Sequence, residues 1–499
     1  MGEPCVIENV CFVGSDKPVD IAVGHGRIAS VRPSGRPTDA ASKIWVIPGL
    51  WDCHTHFTQW SYTLGRLDLI DARSAGEALD MLRRHLEERR ENGALDPNQY
   101  VVGMRFRHSL WSDDAQPTLA AIDAAAGEQP VALSSADMHC GWVNSAAARK
   151  LGVDVDESGL VGELEWFDAY CKLDKGPGAA NELMHLLRNA EHDAASKGVV
   201  GVRDYEMAEN IDTWISRFSQ GLDGLRVEAG IYPEKLQQAI DDGWHTGSEL
   251  PGSHGLGHVG AMKMISDGSL NTRSAYCSTP YSGVSPETFG TLSYSPEQIE
   301  SYMRLATEHG FDIACHAIGD EANAIVLDCA ERTHAHGSIE HAQMLKERDI
   351  PRLARLGLAA SVQPQHAMDD RDVIARFWGT PAGIPYAFNS LHKAGTKLLM
   401  GSDAPVAPLD PWLAISAAVF GTESSDREPF QPEQCLDFEA ALASSTAVGR
   451  VALRDADAAD LVLLDCDPSI IDSPEAMRAM PEHVLGTMLA GRWTYQQAE

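Results

Sequence analysis

Eight short apolar runs recur along this chain, at residues 44–47, 199–203, 225–231, 260–265, 311–315, 337–340, 358–362 and 397–400. Stretches in which apolar residues return every three or four positions lie between them, at 75–92, 181–197, 296–309 and 320–333. The short runs suit strands buried on both faces, and the longer period suits helices packed on one side. Strands alternating with helices pair in parallel, because each helix carries the chain back to the same end of the sheet. Eight such units close into a (β/α)8 barrel. The expected class is therefore α/β.

With 499 residues, the chain exceeds the ~250–300 at which single cores stop growing, so more than one folding unit is expected. Residues 5–47 hold several β-like runs, with Gly24-His25-Gly26 as a hairpin turn, and 460–465 and 483–493 are strand-like again, with a turn at Gly491-Arg492. Each end alone has too few strands to bury two faces. Together, 1–47 and 452–499 are expected to form a small β-sandwich around a barrel spanning 48–451. The segment 60–198 is too long for one β–α connection and has strand-like runs of its own, at 99–106 and 129–134. It reads as a subdomain inserted after the first barrel strand.

Composition narrows the function classes. The net charge is −32, from 40 basic and 72 acidic residues, which disfavours nucleic acid and anionic membrane as partners. No charged leader precedes an apolar stretch at the N-terminus, and no apolar run approaches the ~20 residues that span a bilayer. Ten cysteines without a pairing pattern fit a reduced, cytoplasmic protein. A small-molecule substrate is the expected partner.

Barrel enzymes carry their chemistry at the C-terminal ends of strands, and five of the eight ends here carry a potential metal ligand. The first follows Pro48-Gly49-Leu50-Trp51-Asp52-Cys53 with His54 and His56, which an extended segment turns to one side. The fourth gives Lys263, the fifth His316, the sixth His341 and the eighth Asp403. Taken singly, each has an ordinary reading: a core or surface histidine, or a helix cap for Asp403 before Pro405. Lys263 is the oddest, since an ammonium beside Met262, Met264 and Ile265 needs a partner once buried. Chance would scatter such residues over strand middles and helices, and their shared place at strand ends argues for a metal site. His366, just past strand seven, is a candidate substrate contact. Asp267 and Arg273, after strand four, either bind a polar substrate group or organise their loop. Trp51, Phe57, Trp60, Arg107 and Trp142 hint at an apolar rim.

The ordered set H-x-H, Lys, His, His, Asp resembles the amidohydrolase superfamily. The phrases CHAIGDEAN, IEHAQ, VQPQHA and GSDAPVAPLDPW are similar to the amidohydrolase-3 subgroup, which includes N-substituted formamide deformylases. The resemblance covers nearly the whole chain; it departs in a shortened lead into the last strands, before Ala458. It implies that His54, His56, His316 and His341 hold one or two divalent ions, with zinc the expected metal. Lys263 would be N6-carboxylated and bridge them, and Asp403 would be both ligand and base. A water acidified towards pKa ~7 by the metal would then attack an acyl carbon, with Asp403 passing its proton to the leaving nitrogen. His139, in a phrase shared with the subgroup, is either a substrate contact or a structural loop residue. The resemblance further implies a homodimer. The expected activity is hydrolysis of an amide, N-formyl or N-acyl C–N bond. The same site could serve ester or lactone hydrolysis, decarboxylation or isomerisation, and a barrel without activity would serve only binding.

Overall fold

The computed structural model describes residues 4–36, 43–93, 95–108, 111–112, 115–135, 140–173 and 179–497. Eight strands form one parallel sheet: β1 (Leu50–Thr55), β2 (Val199–Asp204), β3 (Arg226–Ile231), β4 (Gly257–Ile265), β5 (Ile313–Ala317), β6 (Gly337–His341), β7 (Ala359–Val362) and β8 (Leu398–Met400). Each pairs with the next in sequence, so the sheet runs in order from β1 to β8. The two ends then meet just beyond β8. Thr55 bridges Ala404 in parallel, Asp403 N donates to His54 O at 2.8 Å, and His56 N donates to Ala404 O at 2.8 Å. The result is a nearly closed parallel barrel, sealed at the end where its strands finish.

Two details make that seal. The Asp52 carboxylate, 2 % exposed, accepts from the backbone N of His54 at 3.1 Å and of Ser402 at 2.9 Å. Gly401 leaves room for the approach, since a Cβ there would stand 2.6 Å from His54 N.

One expected strand moves. Residues 44–47 do not open the barrel. The strand Ile44–Pro48 pairs in parallel with Cys5–Phe12 and antiparallel with Leu461–Leu464. The barrel instead begins with Leu50–Thr55, all six residues buried. Asp52 and His54 interrupt its apolar pattern because the seal and the site use them, so a hydrophobicity pattern alone stops too early. The chain passes from one sheet to the other at Gly49, where a Cβ would lie 2.4 Å from Val200 Cγ2.

Strands from both ends of the chain form one seven-stranded sheet, in the order Arg492–Gln496, Val484–Leu489, Leu461–Leu464, Ile44–Pro48, Cys5–Phe12, Pro18–Gly24, Arg27–Pro33. Val10, Ile21, Ile28, Val46, Leu461 and Met488 belong to its core. Two of its hairpins use two-residue loops with positive φ at both positions, His25 (+53°) with Gly26 (+74°), and Ala490 (+48°) with Gly491 (+78°). Such loops match the right-handed twist of the strands they join. The second lies one residue before the expected Gly491-Arg492, because Arg492 already pairs with Leu489.

Contacts divide the chain into two compact units, 1–60 with 190–499, and 61–189. The second has a five-stranded sheet of its own, ordered Leu160–Gly162, Cys140–Val143, Val131–Ser135, Val101–Phe106, Leu67–Asp68. Alternation along its strands feeds two cores: Val101, Val131 and Leu133 pack with Leu82 and Ile122 on one side, and Val102, Ala132 and Val143 pack with Trp166 on the other. Gly141 gives Trp166 its place, since a Cβ would lie 2.1 Å from the indole. Among the described residues, no helix is long and apolar enough to cross a membrane.

Candidate metal centre

At the sealed end of the barrel, His54, His341 and Asp403 bring one potential ligand atom each to within 4.8 Å of one another. Three further predicted residues join them. His56 Nε2 lies 3.5 Å from Asp403 Oδ1, Lys263 Nζ lies 3.1 Å from His54 Nε2, and the His316 ring stands 4.5 Å from that of His341. His366, in the first turn of the helix Pro364–Phe377, stacks on His341 with ring centres 6.2 Å apart at 14°. Its Nε2 is 4.0 Å from Asp403 Oδ2.

Backbone geometry aims several of these groups. His341 (φ +68°), Ala342 (+44°) and Asp403 (+59°) all take left-handed backbone, which costs a non-glycine residue about 1–2 kcal/mol. Non-glycine residues held in such regions cluster at functional sites.

Electrostatics set the protonation states. Burial, and then the nearby Lys263 charge, bring the His54 pKa down to about 4, so its ring is neutral. Burial also lowers His341 well below the ordinary imidazole value, with His316 and His54 adding to the effect. For His56 burial works downward, but the Asp403 carboxylate lifts the net value. For Asp403 burial works upward, and the facing imidazoles of His54, His56, His341 and His366 outweigh it and hold the carboxyl well below its usual range. Burial depresses Lys263, whose Nζ sits 5.0 Å over the Tyr205 ring. A depressed lysine is a nucleophilic amine, the form that can take up CO2.

These residues fit a divalent ion. Among the described residues, His56 Nδ1, His341 Nδ1 and His366 Nε2 are buried without a hydrogen-bond partner, each such atom costing about 1–3 kcal/mol. Neutral imidazoles beside an ionised carboxylate are the donor set of a zinc-type centre.

The remaining expectations fare differently. Asp267 is wholly buried and accepts from the backbone N of Tyr276 (2.9 Å), Ile318 (3.1 Å) and Gly319 (2.9 Å). It lies 3.4 Å from His316 Nε2, and its backbone contacts organise the loop beside that histidine. Arg273 is exposed, donates to Asn271 O at 3.0 Å and lies over Phe377. It is not brought to the cluster. His139 falls outside the described residues. Trp51, Phe57, Trp60 and Trp142 are core residues, all under 9 % exposed, and Arg107 donates to Ile70 O. An apolar rim is therefore not built from them.

Glu340 was missed by sequence reasoning. It is fully buried, and its Oε2 lies 2.6 Å from His54 Nδ1. Burial works against its charge, yet the His54 contact and the other neighbours hold its pKa at about 2, so the imidazole N–H is the donor. The signal was its place in IEHAQ, directly before His341, but strand alternation turns neighbouring residues to opposite faces. The left-handed backbone at His341 lets both serve one centre.

The model of the amidohydrolase family matches residues 40–495. This chain belongs to the amidohydrolase family. Relatives of this amidohydrolase include the putative amidohydrolase YtcJ of Bacillus subtilis, 26% identical, with 91% of this chain and 89% of that protein covered. The N-substituted formamide deformylase of Arthrobacter pascens is 25% identical, with 90% of each covered. Protein LONG AFTER FAR-RED 3 of Arabidopsis thaliana is also 25% identical, over 90% of this chain and 82% of its own length. In fold, the amidohydrolase chain is similar to the crystal structure of an uncharacterized metal-dependent hydrolase from Pyrococcus horikoshii OT3, with a TM-score of 0.77 and 22% identity, covering 94% of this chain and 99% of that one.

Proposed function

We propose that this protein is a metal-dependent hydrolase that cleaves the C–N bond of a small amide, N-formyl or N-acyl compound. The convergence of His54, His341 and Asp403 ligand atoms within 4.8 Å carries this reading. The formamide deformylase among the relatives supports the choice of bond.

In this reading His54, His56, His316, His341, Lys263 and Asp403 hold the metal, with zinc favoured by the nitrogen and oxygen donors. Such an ion supplies Lewis acidity towards a carbonyl oxygen and acidifies water. Asp403 is the base. Its ionised Oδ atoms accept the proton of the attacking water and return it to the leaving amine nitrogen. His366, 4.0 Å from Asp403 Oδ2, is placed to donate to the substrate or to steady that carboxylate. Lys263 as a carbamate would exchange a costly buried ammonium for an anion neutralised by metal.

Elemental analysis of protein purified without added metal, beside a His54→Ala variant, tests the centre. At least one equivalent of zinc or a similar ion, lost in the variant, is expected. Two equivalents fit a carboxylated Lys263 and one fits a free lysine, while no metal taken up even on addition overturns the reading. A panel of N-formyl amines, N-acyl amines and esters tests the bond, and turnover of esters alone would overturn the C–N assignment.

A further inference from the structure

We propose that Glu340 is a positioning residue for this centre: it holds His54 in the tautomer that carries its proton on Nδ1, so that Nε2 presents its lone pair to the metal. The inference rests on the metal reading above and deepens it.

The side chains of His54 and Glu340 are 1 % and 0 % exposed and 2.6 Å apart. Both Glu340 oxygens are used as acceptors, Oε1 from Ser338 Oγ and Oε2 at 2.6 Å from the ring, so the ring proton on this side sits on Nδ1. The opposite nitrogen, Nε2, then has a free lone pair. It is this atom that faces the centre, 3.1 Å from Lys263 Nζ and 3.6 Å from Asp403 Oδ1.

Glu340 is itself held. Ser338, two residues earlier on β6 and on the same face, donates its Oγ–H to Glu340 Oε1 at 2.5 Å. Both carboxylate oxygens therefore receive a proton donor, one from β6 and one from β1. The pair also links β6 to β1 through the barrel interior, since these strands are not neighbours in the sheet. Partners of this kind fix the tautomer and orientation of metal-binding histidines in general.

A competing role is mere charge balance, with Glu340 present only to offset the buried Lys263. The two roles part at Glu340→Gln. A glutamine keeps a carbonyl oxygen to accept from His54 Nδ1–H and can donate its amide to Ser338 Oγ, but it carries no charge. Glu340→Leu removes the acceptor altogether. The His54 ring would then revert to Nε2–H, the form that neutral imidazole side chains favour, and present a proton where the metal must bind.

The test is 15N NMR of protein labelled at its histidine rings, in metal-free and zinc-loaded samples, with His54 assigned by its loss in His54→Ala. Zinc affinity is measured in parallel by competition with a chelator. Wild type and Glu340→Gln should show Nδ1–H at His54, with zinc affinities within severalfold of each other. Glu340→Leu should show Nε2–H and bind zinc about 10–100-fold more weakly. Nε2–H in the wild type, an unchanged tautomer in Glu340→Leu, or a Glu340→Gln as weak as Glu340→Leu would overturn the proposal. If Glu340→Leu does not fold, the Glu340→Gln tautomer and the affinity of Ser338→Ala, expected to fall severalfold, decide the matter. A wild type that shows Nδ1–H but takes up no zinc would instead overturn the metal reading and leave the tautomer assignment standing.

Discussion

The two-residue hairpins of the terminal sheet and the rim of the barrel both use left-handed backbone at residues with a side chain, and they use it for different ends. In the hairpins, His25 and Ala490 are each followed by a glycine that is also left-handed, and the conformation is what a two-residue loop demands. His25 is exposed, and a glycine there would serve the turn as well. At the rim no hairpin asks for it. His341 and Asp403 are strained so that an imidazole and a carboxylate meet over the barrel mouth. In one region backbone geometry reverses the chain, and in the other it aims side chains.

Asp403→Gly should break this comparison most sharply. Activity is expected to fall by about a hundred- to ten-thousand-fold, the range for loss of a general base. The metal-free protein should melt no lower than the metal-free wild type, because about 1–2 kcal/mol of left-handed strain disappears. Steady-state kinetics and calorimetry on the same preparation measure both, and a large drop in melting temperature would show that Asp403 serves the seam and not only the chemistry.

Chelation should come next in size. An ion present at 100–1,000 times its dissociation constant stabilises by about 3–4 kcal/mol, so stripping it should lower the melting temperature by several degrees. That shift should nearly vanish in His341→Ala. An equal shift in both would place the bound ion elsewhere.

Gly141→Ala gives a third kind of exception, a glycine kept for room and not for φ. With Trp166 2.1 Å from the added Cβ, overpacking should cost about 1–3 kcal/mol, read as a lower denaturation midpoint. The smallest effect belongs to His25→Gly. It should raise stability by up to about 1 kcal/mol through relief of the left-handed penalty and leave turnover unchanged. A loss of stability there would show that His25 does more than turn the chain.

The barrel strands were legible because each is short, apolar and buried on both faces, and the clustering of His54, His341 and Asp403 was legible because they stand at the ends of those strands. Legibility failed where polar residues sit inside strands. Asp52 and His54 truncated the first barrel strand and passed its place to residues 44–47, which belong to the other sheet. Glu340 stayed hidden because alternation turns it away from His341, and only the left-handed backbone at His341 reconciles the two. The apolar-rim reading of Trp51, Phe57, Trp60 and Trp142 failed for a simpler reason: large aromatics are as readily core as rim, and pattern alone does not separate the two.

The seven-stranded sheet has a consequence for how the protein is made. Its adjacent strands Ile44–Pro48 and Leu461–Leu464 are separated by 413 positions of sequence (461 − 48). At about 5–20 residues per second of synthesis, the first waits roughly 20–80 s before the second leaves the ribosome. During that interval Ile44–Pro48 is the outer strand of a half-built sheet, with one row of N–H and C=O groups unpaired, the kind of edge on which nascent chains aggregate. Residues 461–496 thus act as a late closure, since their strands cover that edge.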